Sequence, residues 1–159
     1  MIGAAGDAAA LARLKAGLAA LVWRDYVADT ETPVSAALML FEEGRGDFIL
    51  ESVEGGAVRG RYSLIGIAPD LVFRAQGEGA EINPHWTTDR SAFTPLSEPA
   101  LPALRSLVKA CQLDMPGELP GVLACLVGYF GYETIGLVEK PPRPAENPIG
   151  LPDMLFVRP

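Results

Sequence analysis

The sequence predicts an α+β fold built mainly from antiparallel strands, with helices flanking the sheet. Two stretches rich in β-prone residues each fold back around a glycine-containing turn, which is typical of hairpins. Helical patterns occur near the N-terminus and again after residue 101, rather than between successive strands. Because helices and strands do not alternate regularly, a doubly wound parallel sheet is not expected.

The first predicted element is an amphipathic helix near the N-terminus. Leu11, Leu14, Leu18 and Leu21 recur at spacings of three, four and three, which places them on one helix face. The many alanines around them also favour a helix. We therefore expect one apolar helix face that extends as far as Leu21.

The next segment leads into the first hairpin. The apolar run Val34–Phe41 fits either a strand or a short helix, and periodicity does not decide between them. Residues 42–47 form a turn by composition. The strand Phe48–Val53, a turn at residues 55–56 and the strand Arg61–Ile67 are then expected to make the hairpin.

A second hairpin and a second helix are predicted next. The strands Leu71–Ala75 and Ala80–Asn83 flank a glycine-rich turn, and residues 84–99 are expected to form a loop. Pro102 can open a helix, since proline is favoured in the first helical turn. The apolar side of this helix would consist of Leu104, Leu107, Val108 and Cys111.

Two strands are predicted in the last third of the chain. The continuous apolar run Val122–Val127 is typical of a strand covered on both faces. Met154–Val157 indicates a final strand, after which the sequence stops without a closing element. From this we expect residues 1–159 to be one domain of a longer protein.

Composition and charge exclude several classes of protein. Apolar residues make up 49% of the chain and the net charge is −7, with thirteen scattered basic residues, so a nucleic-acid surface is not expected. The apolar run Ala16–Trp23 is too short to span a bilayer, and no small-residue cleavage site follows it. We therefore predict a cytoplasmic protein without a membrane partner.

No catalytic residue is predicted from the sequence. The single histidine, His85, lies in a loop-like stretch, and no nucleophile motif or phosphate-binding glycine loop is present. Cys111 and Cys125 lie in apolar contexts without a CxxC spacing, which argues against zinc. Two buried, reduced thiols are the favoured interpretation, with a disulfide as the alternative.

The first hairpin carries more polar groups than a plain hairpin needs. Strand alternation places Leu50 and Ser52 on one face and Glu51 on the other. An α-amino acid ligand needs acceptors for its ammonium group, donors for its carboxylate and an apolar slot. Glu51 could meet the first need and Ser52 with Arg61 the second, while Leu50 and Tyr62 could form the slot. The alternative is a solvated hairpin without a ligand.

Five motifs in order resemble those of a known family, the N-terminal region of the large, chorismate-using subunit of anthranilate synthase. They are TETPVSAALML (Thr30–Leu40), ILESVEGG (Ile49–Gly56), GRYSLIG (Gly60–Gly66), GVLACLVGYFGYE (Gly121–Glu133) and GLPDMLFV (Gly150–Val157). Ile49 replaces the first leucine of the family's Leu-Leu-Glu-Ser motif. The resemblance extends over nearly the whole chain.

The resemblance implies a fold, an activity and partners. The fold would be the N-terminal portion of two orthogonally packed antiparallel sheets. The full enzyme would convert chorismate and ammonia to anthranilate and pyruvate in tryptophan synthesis. It would receive ammonia from a glutamine amidotransferase subunit and use Mg²⁺. The chorismate and metal residues would lie in a C-terminal domain absent from this chain, which would itself hold no cofactor and be inactive.

The resemblance also implies a feedback site for L-tryptophan on the first hairpin. The implied residues are Leu50, Glu51, Ser52, Arg61, Tyr62 and Ser63. Two alternatives stay open. The chain could be the corresponding part of aminodeoxychorismate synthase component I of the folate pathway, or a non-catalytic amino-acid-binding module. Salicylate and isochorismate synthases are disfavoured because the feedback strand is not expected in them.

Overall fold

A computed structural model describes residues 4–51, 62–113, 119–139 and 149–159, together with residues 115, 117 and 147; side chains are described from residue 8 onward. The helices are α1 (Ala4–Lys15), α2 (Pro33–Leu40) and α3 (Ala100–Ala110). The strands are β1 (Phe48–Glu51), β2 (Ser63–Gly66), β3 (Leu71–Gln76), β4 (Gly79–Asn83), β5 (Thr94–Pro95), β6 (Val127–Phe130) and β7 (Met154–Arg158). Two 3-10 helices span Gly121–Ala124 and Tyr132–Leu137.

The strands form two antiparallel sheets. β1 and β2 make a two-stranded sheet, and the other strands make a five-stranded sheet in the order β5-β4-β3-β7-β6. Every described strand pair is antiparallel. The predicted α+β class with mainly antiparallel pairing is therefore confirmed. The crossing of two large sheets at right angles stays a prediction.

The core lies between the five-stranded sheet and α3. Phe73 of β3 and Met154 of β7 have no exposed surface, and Ala103 and Leu104 of α3 pack in the same cluster. Alternation along β3 sends Phe73 and Ala75 to this side, whereas the neighbouring Arg74 is exposed on the other. Burial of this one face accounts for the position of α3 against β3 and β4.

The N-terminal helix is shorter than predicted. It ends at Lys15, and Gly17 follows with a φ of +73°. The amide of Leu18 donates to the carbonyl of Arg13 and that of Gly17 to the carbonyl of Leu14, which is the Schellman pattern of helix termination. The extension of one helix face to Leu21 is therefore wrong, because Gly17 readily takes the left-handed conformation that ends a helix.

The run from Val34 is a helix, which resolves the choice left open by periodicity. Thr32 caps its start: the Thr32 hydroxyl accepts from the Ser35 amide at 3.0 Å, and the Ser35 hydroxyl accepts from the Thr32 amide at 2.9 Å. Pro33 occupies the first turn, where a missing amide proton costs nothing. This reciprocal cap determines where the helix begins.

The strand predicted at Val122–Val127 is wrong in its position. Gly121–Ala124 form a 3-10 helix, and the strand β6 begins only at Val127. The partner strand β7 pairs with β6 from Val127 opposite Val157 to Phe130 opposite Met154. Residues 122–125 therefore lie beyond the reach of β7, and a continuous apolar run does not distinguish a strand from a short helix.

The remaining elements follow the prediction with shifted ends. β3 and β4 form the second hairpin, and the loop after them contains the short strand β5. α3 begins at Ala100, two residues before Pro102. Val108, which was predicted on the apolar side of this helix, is exposed. The strand ends predicted at Val53 and Arg61 lie outside the described residues.

The two cysteines are free thiols, as favoured by the sequence, but they are not buried. Cys111 and Cys125 are both half-buried at the margin of the core. Burial raises the pKa of the Cys125 thiol. None of the described helices is long and apolar enough to cross a bilayer.

Asp153 joins three parts of the five-stranded sheet. Its buried carboxylate accepts from the Gln76 side-chain amide at 3.0 Å and from the Gly77 backbone amide at 2.6 Å. Its carbonyl accepts from the Gly131 amide at 2.7 Å and from the Thr134 hydroxyl at 3.0 Å. The turn between β3 and β4 and the segment after β6 are thus both bound to the start of β7.

Gly128 lets β6 approach β7 closely. A Cβ atom at this position would lie 2.7 Å from the Cα of Phe156 and 2.8 Å from the carbonyl carbon of Leu155. These are backbone atoms of the paired strand, so they cannot move aside without breaking the register. Glycine is therefore required at this point for steric reasons.

We expect Gly128→Ala to lower the free energy of unfolding by about 3 kcal/mol, because the added methyl group overpacks the β6–β7 contact. Urea denaturation followed by circular dichroism measures the effect. Gly121→Ala is the matched control, since no atom lies within 4 Å of a Cβ built there. Equal stability of the two variants would contradict the steric requirement.

Candidate functional site

The candidate site is the hairpin formed by β1 and β2. Its register places Leu50 opposite Leu64 and Glu51 opposite Ser63. Side chains of directly opposed residues lie on the same face of the sheet. Glu51 and Ser63 therefore form a polar pair on one face, and Leu50 and Leu64 form an apolar pair on the other.

The described site residues are accessible. Leu50 is 49% exposed and Tyr62 is 67% exposed, while Glu51 and Ser63 are also exposed. The structure brings Glu51 and Ser63 together, whereas Leu50 points to the opposite face. The other two predicted site residues, Ser52 and Arg61, lie outside the described residues.

The base of the hairpin is packed around a glycine. Phe48 lies opposite Gly66, and a Cβ on Gly66 would overlap the Phe48 ring. An aromatic ring that covers a cross-strand glycine strengthens the pairing and holds the register. α2 lies against β2, so the hairpin also has a helical support. These contacts leave the Glu51–Ser63 end accessible.

Asp47 binds both ends of the hairpin at its base. It immediately precedes β1, and its carboxylate accepts from the backbone amide of Ala68, beyond the end of β2, at 2.9 Å. The same carboxylate accepts from the Glu42 amide at 2.9 Å and from Arg45 Nε at 2.8 Å. Arg45 also donates to the carbonyl of Leu40 at 2.6 Å, which ties in the end of α2.

This carboxylate is ionised under most conditions. The Asp47 side chain is 2% exposed, and hydrogen bonds from Arg45 lower the pKa of Asp47 to about 2 from its ordinary 3.8. The Glu42 and Ala68 amides lower the pKa further, while burial opposes them. The same pairing raises the pKa of Arg45. The group therefore acts as a permanent acceptor at neutral pH.

Trp86 connects the five-stranded sheet to the same region. Its ring Nε1 donates to the carbonyl of Arg45 at 2.7 Å, and its backbone amide donates to the carbonyl of Asp70 at 3.3 Å. Sequence reasoning singled out neither Asp47 nor Trp86. The position of Asp47 directly before a β-prone run is the one sequence signal that could have identified it.

A separate groove lies on the other side of the five-stranded sheet from α3. It has a volume of about 790 Å³, and its lining includes Arg74, Trp86 and Phe93 but none of the predicted site residues. The Arg74 guanidinium lies 3.7 Å from the centre of the Phe93 ring and is paired with Glu81 at 2.7 Å. The groove and the hairpin are therefore distinct features.

Catalytic or metal-binding chemistry finds little support in the described residues. His85 is exposed, and its backbone carbonyl accepts from the Thr88 and Asp89 amides in a turn. Within residues 4–51, 62–113 and the later described ranges, no three His, Cys, Asp or Glu side chains gather in a way that could hold a metal ion.

Several known proteins, all with the same name, are similar in sequence to most of this chain. Anthranilate synthase component 1 of Cereibacter sphaeroides is 44% identical over 145 residues, covering 91% of this chain and 29% of that protein. The Pseudomonas putida protein of the same name is 36% identical over 142 residues, covering 84% and 27%. That of Thermus thermophilus is 32% identical over 136 residues, covering 86% and 27%.

The predicted resemblance to anthranilate synthase component 1 is confirmed. The chain spans between about a quarter and three tenths of the length of these three relatives. No protein-family model matches the chain.

The motifs on which the predicted resemblance rests fall into two spatial groups. The Thr-Pro-Val segment forms α2, the Leu-Glu-Ser motif begins on β1, and the Gly-Arg-Tyr-Ser motif leads into β2. The two later motifs meet at Asp153, whose carbonyl accepts from the Gly131 amide. The first group builds the hairpin, and the second holds the five-stranded sheet together.

We expect Asp47→Asn to destabilise the chain by about 2 kcal/mol at pH 5, from a pKa shift of roughly two units. Because the folded pKa lies below the unfolded value, this stability is present above pH 4 and is lost as the pH falls towards 2. Denaturation of both proteins from pH 5 to pH 2 should show the difference shrinking. The exposed Asp29→Asn variant is the control, and a difference independent of pH would contradict the assignment.

Proposed function

We propose that this chain is the N-terminal part of an anthranilate synthase component 1 and forms one wall of a regulatory site for L-tryptophan. The observation that carries the proposal is the pairing of Glu51 with Ser63 across the hairpin. It brings the Leu-Glu-Ser and Gly-Arg-Tyr-Ser motifs together at one end of the two-stranded sheet. The similarity to the named relatives supports the family assignment.

The chemistry of this end suits an α-amino acid. The Glu51 carboxylate can accept from the ammonium group, and the hydroxyl of Ser63 opposite it can bond either charged group. Ser52 directly follows β1 in the chain and Arg61 stands two residues before β2, and we assign both to the ligand carboxylate. Tyr62 and Leu50 provide apolar surface for the indole ring. Leu50 faces away from Glu51, so it would contact a ligand only around the strand edge.

The whole protein would carry the chemistry outside these residues. We propose that it converts chorismate and ammonia to anthranilate and pyruvate. A C-terminal domain would contain the chorismate site and Mg²⁺, and a glutamine amidotransferase subunit would supply the ammonia. The name "component 1" is consistent with a partner subunit. In this scheme residues 1–159 are inactive alone and act in the cytoplasm.

Feedback inhibition requires two states of the whole enzyme with different affinities for tryptophan. An exposed hairpin offers one wall of a site, and the other wall would come from the C-terminal domain. Bound tryptophan would then favour one placement of the two parts. The accessibility of Tyr62 and Leu50 leaves room for such a second wall.

Ser52→Ala in the full-length enzyme should weaken tryptophan inhibition by about tenfold or more, because a hydrogen bond to a charged group is lost. The inhibition constant for L-tryptophan is measured at fixed chorismate, together with kcat and KM. Ser91→Ala is the matched control, since Ser91 is exposed in the loop before β5. Undiminished inhibition of the Ser52 variant would reject the site assignment.

Calorimetry of the 159-residue chain with L-tryptophan separates the proposal from an autonomous amino-acid-binding module. We expect a dissociation constant of about 1 mM or weaker, because half of the pocket is missing. Binding at about 1 μM or tighter would favour the autonomous module. The product of the full-length enzyme, anthranilate or aminodeoxychorismate, separates the tryptophan pathway from the folate pathway.

A further inference from the structure

The two strands of the hairpin are rooted in a small set of contacts, which we call the hairpin root. It consists of Arg45, Gly46 and Asp47 before β1, Ala68, Pro69 and Asp70 after β2, and Trp86 from the loop that follows β4. The two strands of the hairpin sheet pair only with each other among the described strands. Their orientation relative to the larger sheet therefore depends on this root.

The root joins the two chain segments directly. The Asp47 carboxylate accepts from the Ala68 amide at 2.9 Å. A Cβ on Gly46 would lie 3.3 Å from the Pro69 ring and 3.6 Å from the Trp86 ring nitrogen, so this backbone packs tightly against both. Pro69 itself is fully buried. The entry to β1 and the exit from β2 are thus clamped together.

Trp86 fixes both segments to the larger sheet. Its ring donates to the carbonyl of Arg45, and its backbone amide donates to the carbonyl of Asp70. One residue therefore contacts the chain on either side of the hairpin. Arg90 adds a second link from the same loop through its 3.1 Å pair with Glu42.

The backbone conformation of Ala68 indicates that surrounding contacts hold the hairpin root in its geometry. The φ of Ala68 is +50°, and it is the only non-glycine residue with a positive φ among the described residues. Alanine pays a free-energy cost in this region, so surrounding contacts must hold it there. The Asp47 bond to its amide and the buried Pro69 that follows it supply those contacts.

We infer that Asp47 is a positioning residue for the amino-acid site: through Ala68 it sets the angle at which the hairpin presents Glu51 and Ser63 to tryptophan. This inference rests on the proposed function of the hairpin. The hydrogen bonds of Asp47 go to Glu42, Arg45 and Ala68 rather than to Glu51 or Ser63, so its effect on ligand affinity is indirect. Asp47 is ionised at neutral pH, so the clamp is present under physiological conditions.

The test uses the full-length enzyme and L-tryptophan. Asp47→Asn should raise the inhibition constant for tryptophan by about tenfold, the size of a typical coupling between sites, with kcat and KM for chorismate within about twofold. Glu81→Gln is the matched control, since it removes a carboxylate–arginine pair from the larger sheet without touching the root. It should leave the inhibition constant unchanged.

Ala68→Gly keeps the test decisive if Asp47→Asn folds poorly. Glycine adopts positive φ without strain, so the variant should fold, but it also permits other backbone conformations at the root. We expect inhibition weakened by about fivefold at unchanged kcat, because the backbone freedom that glycine adds must be lost when the hairpin takes its ligand-binding orientation. Ala92→Gly, in the loop before β5, is the control for the glycine itself.

The outcomes separate this inference from the proposed function. A wild-type enzyme that tryptophan does not inhibit would overturn both. A wild-type enzyme that is inhibited, with Asp47 and Ala68 variants inhibited equally well, would overturn the positioning role alone. Equal weakening by Glu81→Gln would also overturn it, because the effect would then reflect general destabilisation.

Discussion

The pairing of β3 with β7 is the interaction on which the rest of the fold depends. It joins Leu71–Gln76 to Met154–Arg158 in the middle of the five-stranded sheet. Its register places Phe73 opposite Phe156 and Ala75 opposite Met154, and all four belong to the core cluster. Strands β4 and β6 then pair on either side. Because the two partners lie far apart in sequence, their pairing closes a long loop and lowers the conformational entropy of the chain. The burial of apolar surface offsets this loss.

Asp153 and Gly128 adapt the surroundings to that pairing. Asp153 satisfies the amides of the β3–β4 turn, so the end of one hairpin is bonded to the start of β7. Gly128 removes the side chain that would separate β6 from β7. Both residues thus serve the assembly of the five-stranded sheet, whereas the earlier motifs build the hairpin.

The hairpin combines a rigid base with an accessible end. Phe48 covers Gly66, and Asp47 and Trp86 bind the base to the larger sheet, while Glu51 and Ser63 lie exposed at the other end. The regulatory site that we propose would use this combination, because the accessible end can contact a ligand while the base holds the orientation of the hairpin. The free thiols and the groove beside Arg74 lie outside this unit.

The sequence by itself determined the features that depend on neighbouring residues. The described parts of the hairpin strands and the glycine turn between β3 and β4 could be predicted because strand alternation and turn chemistry act locally. Thr32, Pro33 and Ser35 carried the cap that makes α2 a helix, although periodicity alone left that choice open. Tertiary structure decided the rest. β6 begins where β7 can pair with it, Glu51 lies opposite Ser63, and Asp47 meets Ala68 across 21 residues. Such contacts follow from which segments pack together, and local patterns do not encode that.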